Sequence, residues 1–217
     1  MNEIRLILAD DHKLFRMGLR QLLDKQKLVA VVGEAADGFE AASLAQDLKP
    51  DIVLMDISMP ELNGIEATRR IVDHDPSVRV IMLSMHADRR YIQESLRAGA
   101  TGYLLKDSAP EELLRAVAKV MRGQFYLSAK INAQVIADFI RLTDSEKPTP
   151  FSLLSSRERE VLQLLAEGKS TREIGDKLNV SAKTVETHRQ HVMDKLNMHT
   201  VAELTKYAIR EGLTGLD

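Results

Sequence analysis

Five residues able to do acid, metal or phosphate chemistry share one context. Asp10 with Asp11, Asp56, Ser84 and Lys106 follow short apolar runs at Ile4–Ala9, Ile52–Met55, Val78–Leu83 and Gly102–Leu105. If those runs are parallel strands, the five side chains converge outside the strands' carboxyl ends, where doubly wound sheets bind ligands. Three crowded carboxylates repel one another and raise at least one pKa. A hard divalent cation removes that conflict, and oxygen donors in an incomplete cage suit Mg²⁺. A lysine opposite adds a point charge that suits a phosphoryl group, and a serine hydroxyl can donate to one phosphoryl oxygen. A carboxylate beside Mg²⁺ is a nucleophile for an acyl phosphate, and Asp56, after the central third run, is the best candidate.

The elements that must position these groups are legible in the periodicity. A further apolar run at Leu28–Val32 makes five strands, with helical stretches between and after them at Leu14–Leu23, Phe39–Leu48, Ile65–Val72, Tyr91–Ala98 and Glu111–Met121. That alternation predicts an α/β domain whose five-stranded parallel sheet is covered on both faces, with right-handed crossovers making it doubly wound. Pro50, Pro60 and Pro76 fall in connections, Gly99 and Gly102 flank the entry to the fifth strand, and Ser108–Glu111 has the spacing of a capping box.

After Met121 the pattern changes. Leu127–Leu142 reads as one more amphipathic helix, and 143–152 (TDSEKPTPFS) as a linker without apolar periodicity. From Leu153 onward the chain reads as a small all-α domain, with capping-box spacings at Ser155/Glu158, Ser170/Glu173 and Thr200/Glu203 and a further cap at Ser181. The predicted organisation is therefore 1–123 for the α/β domain, 124–152 for a linker helix and linker, and 153–217 for the helical domain.

A short helix Thr171–Leu178, a turn Asn179–Val180 and a longer helix Ser181–Leu196 have helix-turn-helix spacing. Val185, Val192 and Leu196 form the inward stripe, whereas Lys183, Glu186, Thr187 and Gln190 share another face. Lys183, Thr184 and the amides at the helix start suit DNA phosphates, and Glu186, Thr187 and Gln190 can reach base edges. Charge adds little support. Residues 151–217 hold ten Lys+Arg and ten Asp+Glu, and the whole chain of 217 residues carries a net charge of −2. His188 and His191 lack the carboxylate partner of a metal pair, and Gly175 reads as a concession to close helix packing.

The segments LILADDH, IVLMDISMP, VIMLSMH and GYLLKD resemble the receiver domain of two-component response regulators, over roughly residues 3–123. The resemblance implies a flavodoxin-like fold with Asp56 as phospho-acceptor and Asp10 and Asp11 as the acidic metal pocket. It implies Mg²⁺ held by the Asp11 and Asp56 side chains and the Ser58 backbone carbonyl. It also implies that Ser84 and Lys106 bind the phosphoryl group and that Tyr103 is the aromatic switch. Two departures are a Ser where Thr is commoner, at Ser84, and Asp107 where many receivers have proline.

The stretch from LSSREREVLQLL to HVMDKLN is similar to the LuxR-type helix-turn-helix domain, and the fusion resembles the NarL/FixJ class. Gly175, where that family more often has Ala, is a mild departure. The resemblance implies a DNA-binding dimer formed through the last helix, Thr200–Leu213, with Val201, Leu204, Ala208 and Ile209 as candidate contacts. Val201, Leu204 and Ala208 form one apolar stripe, and Ala202, Ile209 and Leu213 another. Which stripe faces the domain core is open in the sequence.

Composition bounds the rest. The chain has 44% hydrophobic and 29% charged residues, which argues against a wholly disordered chain. There is no cysteine, which excludes disulfides, thiol catalysis and cysteine-ligated metal sites. No apolar run approaches the ~18 residues of a membrane span, and the start lacks a signal-peptide layout, so a cytoplasmic chain without a membrane partner is expected. The expected function is phosphorylation-dependent transcription regulation, with a cognate histidine kinase, an operator of two half-sites and a homodimer when phosphorylated. No enzyme activity is expected beyond self-phosphorylation and slow autodephosphorylation. The competing expectations are a DNA-binding regulator independent of phosphorylation and an Asp-nucleophile, Mg²⁺-dependent phosphohydrolase. His86 and Ser58, two residues after Ser84 and Asp56, stand where they could tune attack of water on the phosphoryl group.

Overall fold

The computed structural model describes residues 3–85, 87–132 and 153–215, which fall into an N-terminal α/β unit and a C-terminal helical unit. His86 and most of the expected 127–142 helix, together with the 143–152 linker, lie outside the described residues.

In the first unit the strands are β1 (Ile4–Ala9), β2 (Val29–Ala35), β3 (Ile52–Asp56), β4 (Arg79–Ser84), β5 (Gly102–Leu105) and β6 (Tyr126–Leu127). Their order is β2-β1-β3-β4-β5-β6, with every pairing parallel. The helices are α1 (Lys13–Leu23), α2 (Gly38–Leu48), α3 (Gly64–His74), α4 (Arg89–Arg97) and α5 (Pro110–Met121). Side chains alternate along each strand, so the sheet carries two cores. Leu6, Leu8, Ile52, Leu54, Ile81, Leu83 and Leu104 pack with Leu23 of α1 and Leu113, Ala116, Val117 and Val120 of α5. Ile7, Val53, Met55, Val80, Met82 and Tyr103, which alternate with them, are also buried, and α2 and α3 pack against the strands. Burial on both faces explains why β3 reads as an unbroken apolar run rather than an alternating one. The chain winds one way from β1 to β2 and the other way from β3 to β5, so the order reverses at β1/β3. A crevice opens there, between helices that leave the strands in opposite directions.

The structure differs from the sequence expectation at the sheet edge, in β2 and at the start of α5. The sheet has a sixth strand where five were expected. Tyr126–Leu127 pairs with Gly102–Tyr103, and two residues are too few to show a period. Leu127, expected to open a helix, lies in that strand, and helix begins at Ala129. β2 continues through Gly33 and Glu34, which pair with Ile7 and Leu8 beside a register shift. α5 begins at Pro110 with Ala109 as N-cap and no side-chain cap, so proline at the first turn, rather than the Ser108/Glu111 spacing, sets its start.

In the second unit the helices are α6 (Ser156–Ala166), α7 (Thr171–Leu178), α8 (Ala182–Leu196) and α9 (Val201–Arg210). Reciprocal capping boxes form at Ser155/Glu158, Ser170/Glu173 and Thr200/Glu203, and the Ser181 side chain accepts from the Thr184 N–H. Asn179 ends α7 with φ 53°, the left-handed conformation that asparagine tolerates, and this tightens the turn into α8. A Cβ on Gly175 would stand 2.8 Å from the Val180 carbonyl oxygen, so the turn packs on the bare backbone of α7. Leu154, Leu162, Val192, Met193, Leu204, Tyr207, Ala208 and Leu213 form the core. Leu204 and Ala208, candidates for dimer contacts in the sequence, are therefore inside the unit's own core and closed to a partner. Of that set, Val201 is exposed and Ile209 partly exposed, and Leu213 of the second stripe is buried.

Two glycines give opposite expectations for the same substitution. A Cβ on Gly64 would lie 1.9 Å from the Asp56 carbonyl oxygen, whereas one on Gly18, mid-helix in α1, would meet nothing within 4 Å. Gly64→Ala should cost about 3 kcal/mol of stability by forced displacement of backbone, and Gly18→Ala should gain up to about 1 kcal/mol from helix propensity. Urea unfolding of the two variants checks both signs.

Candidate functional site

The reversal at β1/β3 places Asp10, just past β1, beside Asp56 at the end of β3, with Ser84 ending β4 and Lys106 following β5. Asp10, Asp56 and Ser84 are buried at 1%, 3% and 3% exposure. The Lys106 Nζ lies 2.8 Å from Asp10 Oδ2 and 2.8 Å from Asp56 Oδ2. Asp11 is exposed at the mouth, where its Oδ1 meets His12 Nδ1 at 2.7 Å. Ligand atoms of Asp10, Asp11, His12 and Asp56 all lie within 4.8 Å of one another. Ser58 is exposed on the same rim, and its N–H is 3.4 Å from Asp56 Oδ1. Ser84 hydrogen-bonds with Tyr103, which is fully buried.

Electrostatics follow from this burial. Desolvation pushes the Asp56 carboxyl up to about 6; the Lys106 ammonium opposes the rise, and the Asp10 and Asp11 charges add to it. Burial works against the charged form of Lys106, but Asp56 and Asp10 outweigh it and hold its pKa above the usual lysine value. Burial raises the Tyr103 phenol, so it stays protonated as a hydrogen-bonding group. Three carboxylates against one ammonium leave a surplus of negative charge at the mouth, in a set of oxygen donors that fits a hard divalent cation.

Asp10 is hydrogen-bonded at its N–H, its carbonyl and Oδ1, and Oδ2 faces the Lys106 ammonium as an ion pair. Its N–H donates to the Ala35 carbonyl at 3.1 Å, its own carbonyl accepts from Arg16, its Oδ1 accepts from the His12 N–H at 2.8 Å, and its Oδ2 meets Lys106. Arg16 Nε also bonds Glu34 Oε2 at 3.0 Å, and Arg20 bonds the other Glu34 oxygen at 2.7 Å. Arg20, its strongest partner, helps hold the Glu34 carboxyl below the usual range against the cost of burial. The Phe15 ring lies 4.8 Å from Lys106 Nζ, a cation–π distance. Phe15, Arg16, His12 and Glu34 were not legible as site residues. Only His12 carries a local signal, as the third of three polar residues closing β1; the others reach the rim from α1 and the edge of β2.

On α8, Lys183, Glu186, Thr187 and Gln190 are exposed, Thr184 is half-buried at the helix start, and Val185 and Val192 are buried, as the periodicity requires. Thr184 meets the capping Ser181 hydroxyl at 2.8 Å. Gln190 Nε2 donates to Asp194 Oδ1 at 2.8 Å, and Glu186 Oε1 accepts from the Thr171 hydroxyl at 2.8 Å. Among the described residues, no cluster of metal-ligating groups includes His188 or His191.

The raised Asp56 pKa has a measurable sign. Between the ordinary carboxylate value and about 6, the folded state binds more protons than the unfolded one, so metal-free stability falls as pH rises through that window. Asp56→Asn should therefore be more stable than the parent at pH 7.5 without divalent cations, by on the order of 2 kcal/mol, and the gain should vanish near pH 4. Urea unfolding at both pH values in EDTA checks it.

Known proteins share both units. Residues 6–118 match the response regulator receiver domain, and residues 152–208 match the luxR family of bacterial regulatory proteins. The chain is 39% identical to the oxygen regulatory protein NreC of Staphylococcus aureus over 214 residues, which cover 97% of this chain and 99% of that protein. A structure of the Salmonella typhimurium RcsB response regulator is similar at 30% identity and TM-score 0.64, covering 95% of this chain and 97% of that one. The RcsB–DNA complex is similar at 30% identity and TM-score 0.60, with 95% and 98% covered. Matched across both units and nearly its full length, the chain belongs to the two-component response regulators that join a receiver domain to a LuxR-type DNA-binding domain.

Proposed function

We propose that Asp56 accepts a phosphoryl group from a histidine kinase and that the modified chain pairs on an operator of two half-sites. The observation that carries this is the Lys106 ammonium 2.8 Å from oxygens of both Asp10 and Asp56 at a buried strand-end rim. The donor is a phosphohistidine of that kinase. Asp10, Asp11, Asp56 and the Ser58 carbonyl are the groups we assign to Mg²⁺, which when bound neutralises charge on the transferring phosphoryl group.

The chain's own residues do the remainder. With its pKa near 6, Asp56 is mostly ionised at neutral pH and so carries the electron pair needed for attack on phosphorus. The new O–P bond forms as the bond from phosphorus to the donor's imidazole nitrogen breaks, and the imidazole departs with that pair. Lys106 then exchanges its Asp56 contact for a phosphoryl oxygen, and Ser84 exchanges Tyr103 for another. Release of the Tyr103 hydrogen bond inside a packed core makes that face two-state rather than graded, which is how a local charge reaches a distant surface. Hydrolysis of the acyl phosphate is the only turnover we assign. For the paired form, the exposed Val201 and the partly exposed Ile209 of α9 are the apolar groups of the candidate set still open to a second copy.

Intact-mass measurement after acetyl phosphate and Mg²⁺ should show one added phosphoryl group on the parent chain and none on Asp56→Asn. An equal gain on Asp56→Asn, or none on the parent, removes Asp56 from this role. On DNA, Lys183→Ala should weaken binding to all sequences alike and reduce the salt slope by about 1, whereas Gln190→Ala should cost about 1–3 kcal/mol of discrimination between sequences. Titrations on selected and random duplexes at several salt concentrations separate the two.

A further inference from the structure

We propose that Glu186 makes the exposed face of α8 select cytosine at one position of each half-site, with Thr171 as the positioning residue for its carboxylate. The proposal rests on α8 being the DNA-reading helix.

Glu186 stands on the outward face with Lys183, Thr187 and Gln190, and its side chain is 53% exposed. A carboxylate only accepts hydrogen bonds. In the major groove, guanine shows two acceptors, and thymine an acceptor beside a methyl group. Adenine sets its amino group next to the N7 acceptor, while cytosine offers an amino donor with no acceptor adjoining it on the same base. An acceptor-only side chain is repelled by lone pairs at the other three bases and rewarded at cytosine. It also carries a negative charge toward a polyanion, which weakens binding to every sequence that does not return a hydrogen bond. Glu186 is thus costly on random DNA and useful only where a donor meets it.

Such selectivity needs a held carboxylate, because a mobile glutamate can swing away from an unfavourable base. The hold comes from the other helix of the pair. The Thr171 hydroxyl, in the first turn of α7, donates to Glu186 Oε1 at 2.8 Å. The second oxygen faces Arg189 at 3.7 Å, too long for a direct hydrogen bond and loose enough to be given up to a base. Thr171 thereby fixes one oxygen and leaves the other directed by the same rotamer.

The test is selection of bound duplexes from a randomised double-stranded library by the full chain treated with acetyl phosphate and Mg²⁺, followed by sequencing to give base preferences by position. The parent should enrich cytosine at one position per half-site. Glu186→Ala should lower that preference about tenfold or more and leave the other positions intact, while raising affinity for random duplex at low salt. Glu186→Gln should move the preference from cytosine toward adenine, whose amino group and N7 match an amide. Thr171→Val should weaken the preference at that same position only, and Thr171→Ser, which keeps the hydroxyl, should restore it. A motif unchanged by Glu186→Ala overturns the proposal while leaving the DNA-reading helix in place. Loss spread evenly over all positions in Thr171→Val assigns the threonine to general packing or phosphate contact and overturns its positioning role. A parent chain that enriches no motif refutes the reading-helix assignment and this proposal together.

Discussion

A single lysine ammonium, shared between two buried carboxylates, is the interaction on which the receiver unit's chemistry rests. Without Lys106, Asp10 and Asp56 would face each other in a desolvated crevice with no compensating charge, a situation proteins resolve by protonation. With it, both carboxylates can stay in place, and Asp56 is left poised near neutrality rather than locked in either form. Burial makes the group responsive, the cation keeps it ionisable, and the surplus negative charge at the mouth leaves room for a divalent partner.

That arrangement is a product of topology. β1 and β3 lie next to each other because the chain reverses its winding between them, so two carboxylates 46 positions apart in the sequence become neighbours. The backbone has to approach closely to close the rim, and Gly64 marks the place where a side chain would strike the Asp56 carbonyl. The clamp on Asp10 is built the same way. Arg16 reaches from α1 to the carbonyl of one strand end and to Glu34 on the neighbouring strand, so the acidic turn is fixed from outside the rim.

The helical unit solves a different problem. It carries as many acidic as basic residues, so it gains little from a general attraction to phosphate, and its recognition depends on where individual groups stand. A capping box at the start of α7, the Ser181 cap of α8 and a left-handed asparagine between them define the pair. On the outward face of α8, Glu186 is tied by one oxygen to Thr171 of the neighbouring helix.

Much of this was legible in the residues. Short apolar runs each ending in a polar group announced the parallel sheet and its rim, since burial on both faces suppresses alternation and leaves the strand ends as the first solvated positions. Serine and threonine three residues before glutamate announced three helix starts, because both halves of a capping box are local. What remained hidden was set by contacts between elements distant in the chain. The two-residue β6 has no period of its own and exists only because β5 offers it an edge. The α5 start at Pro110 shows that one local signal can override another. Arg16, Phe15 and Glu34 became site residues only when α1 and β2 packed beside β1. The stripes at the last helix looked equally apolar in sequence, and only packing decided that Leu204, Ala208 and Leu213 turn inward while Val201 stays exposed. Composition and periodicity act over a few residues and so determine element type and the chemistry at hand. Which groups meet, and which faces remain exposed, is decided by long-range packing that no short window of sequence contains.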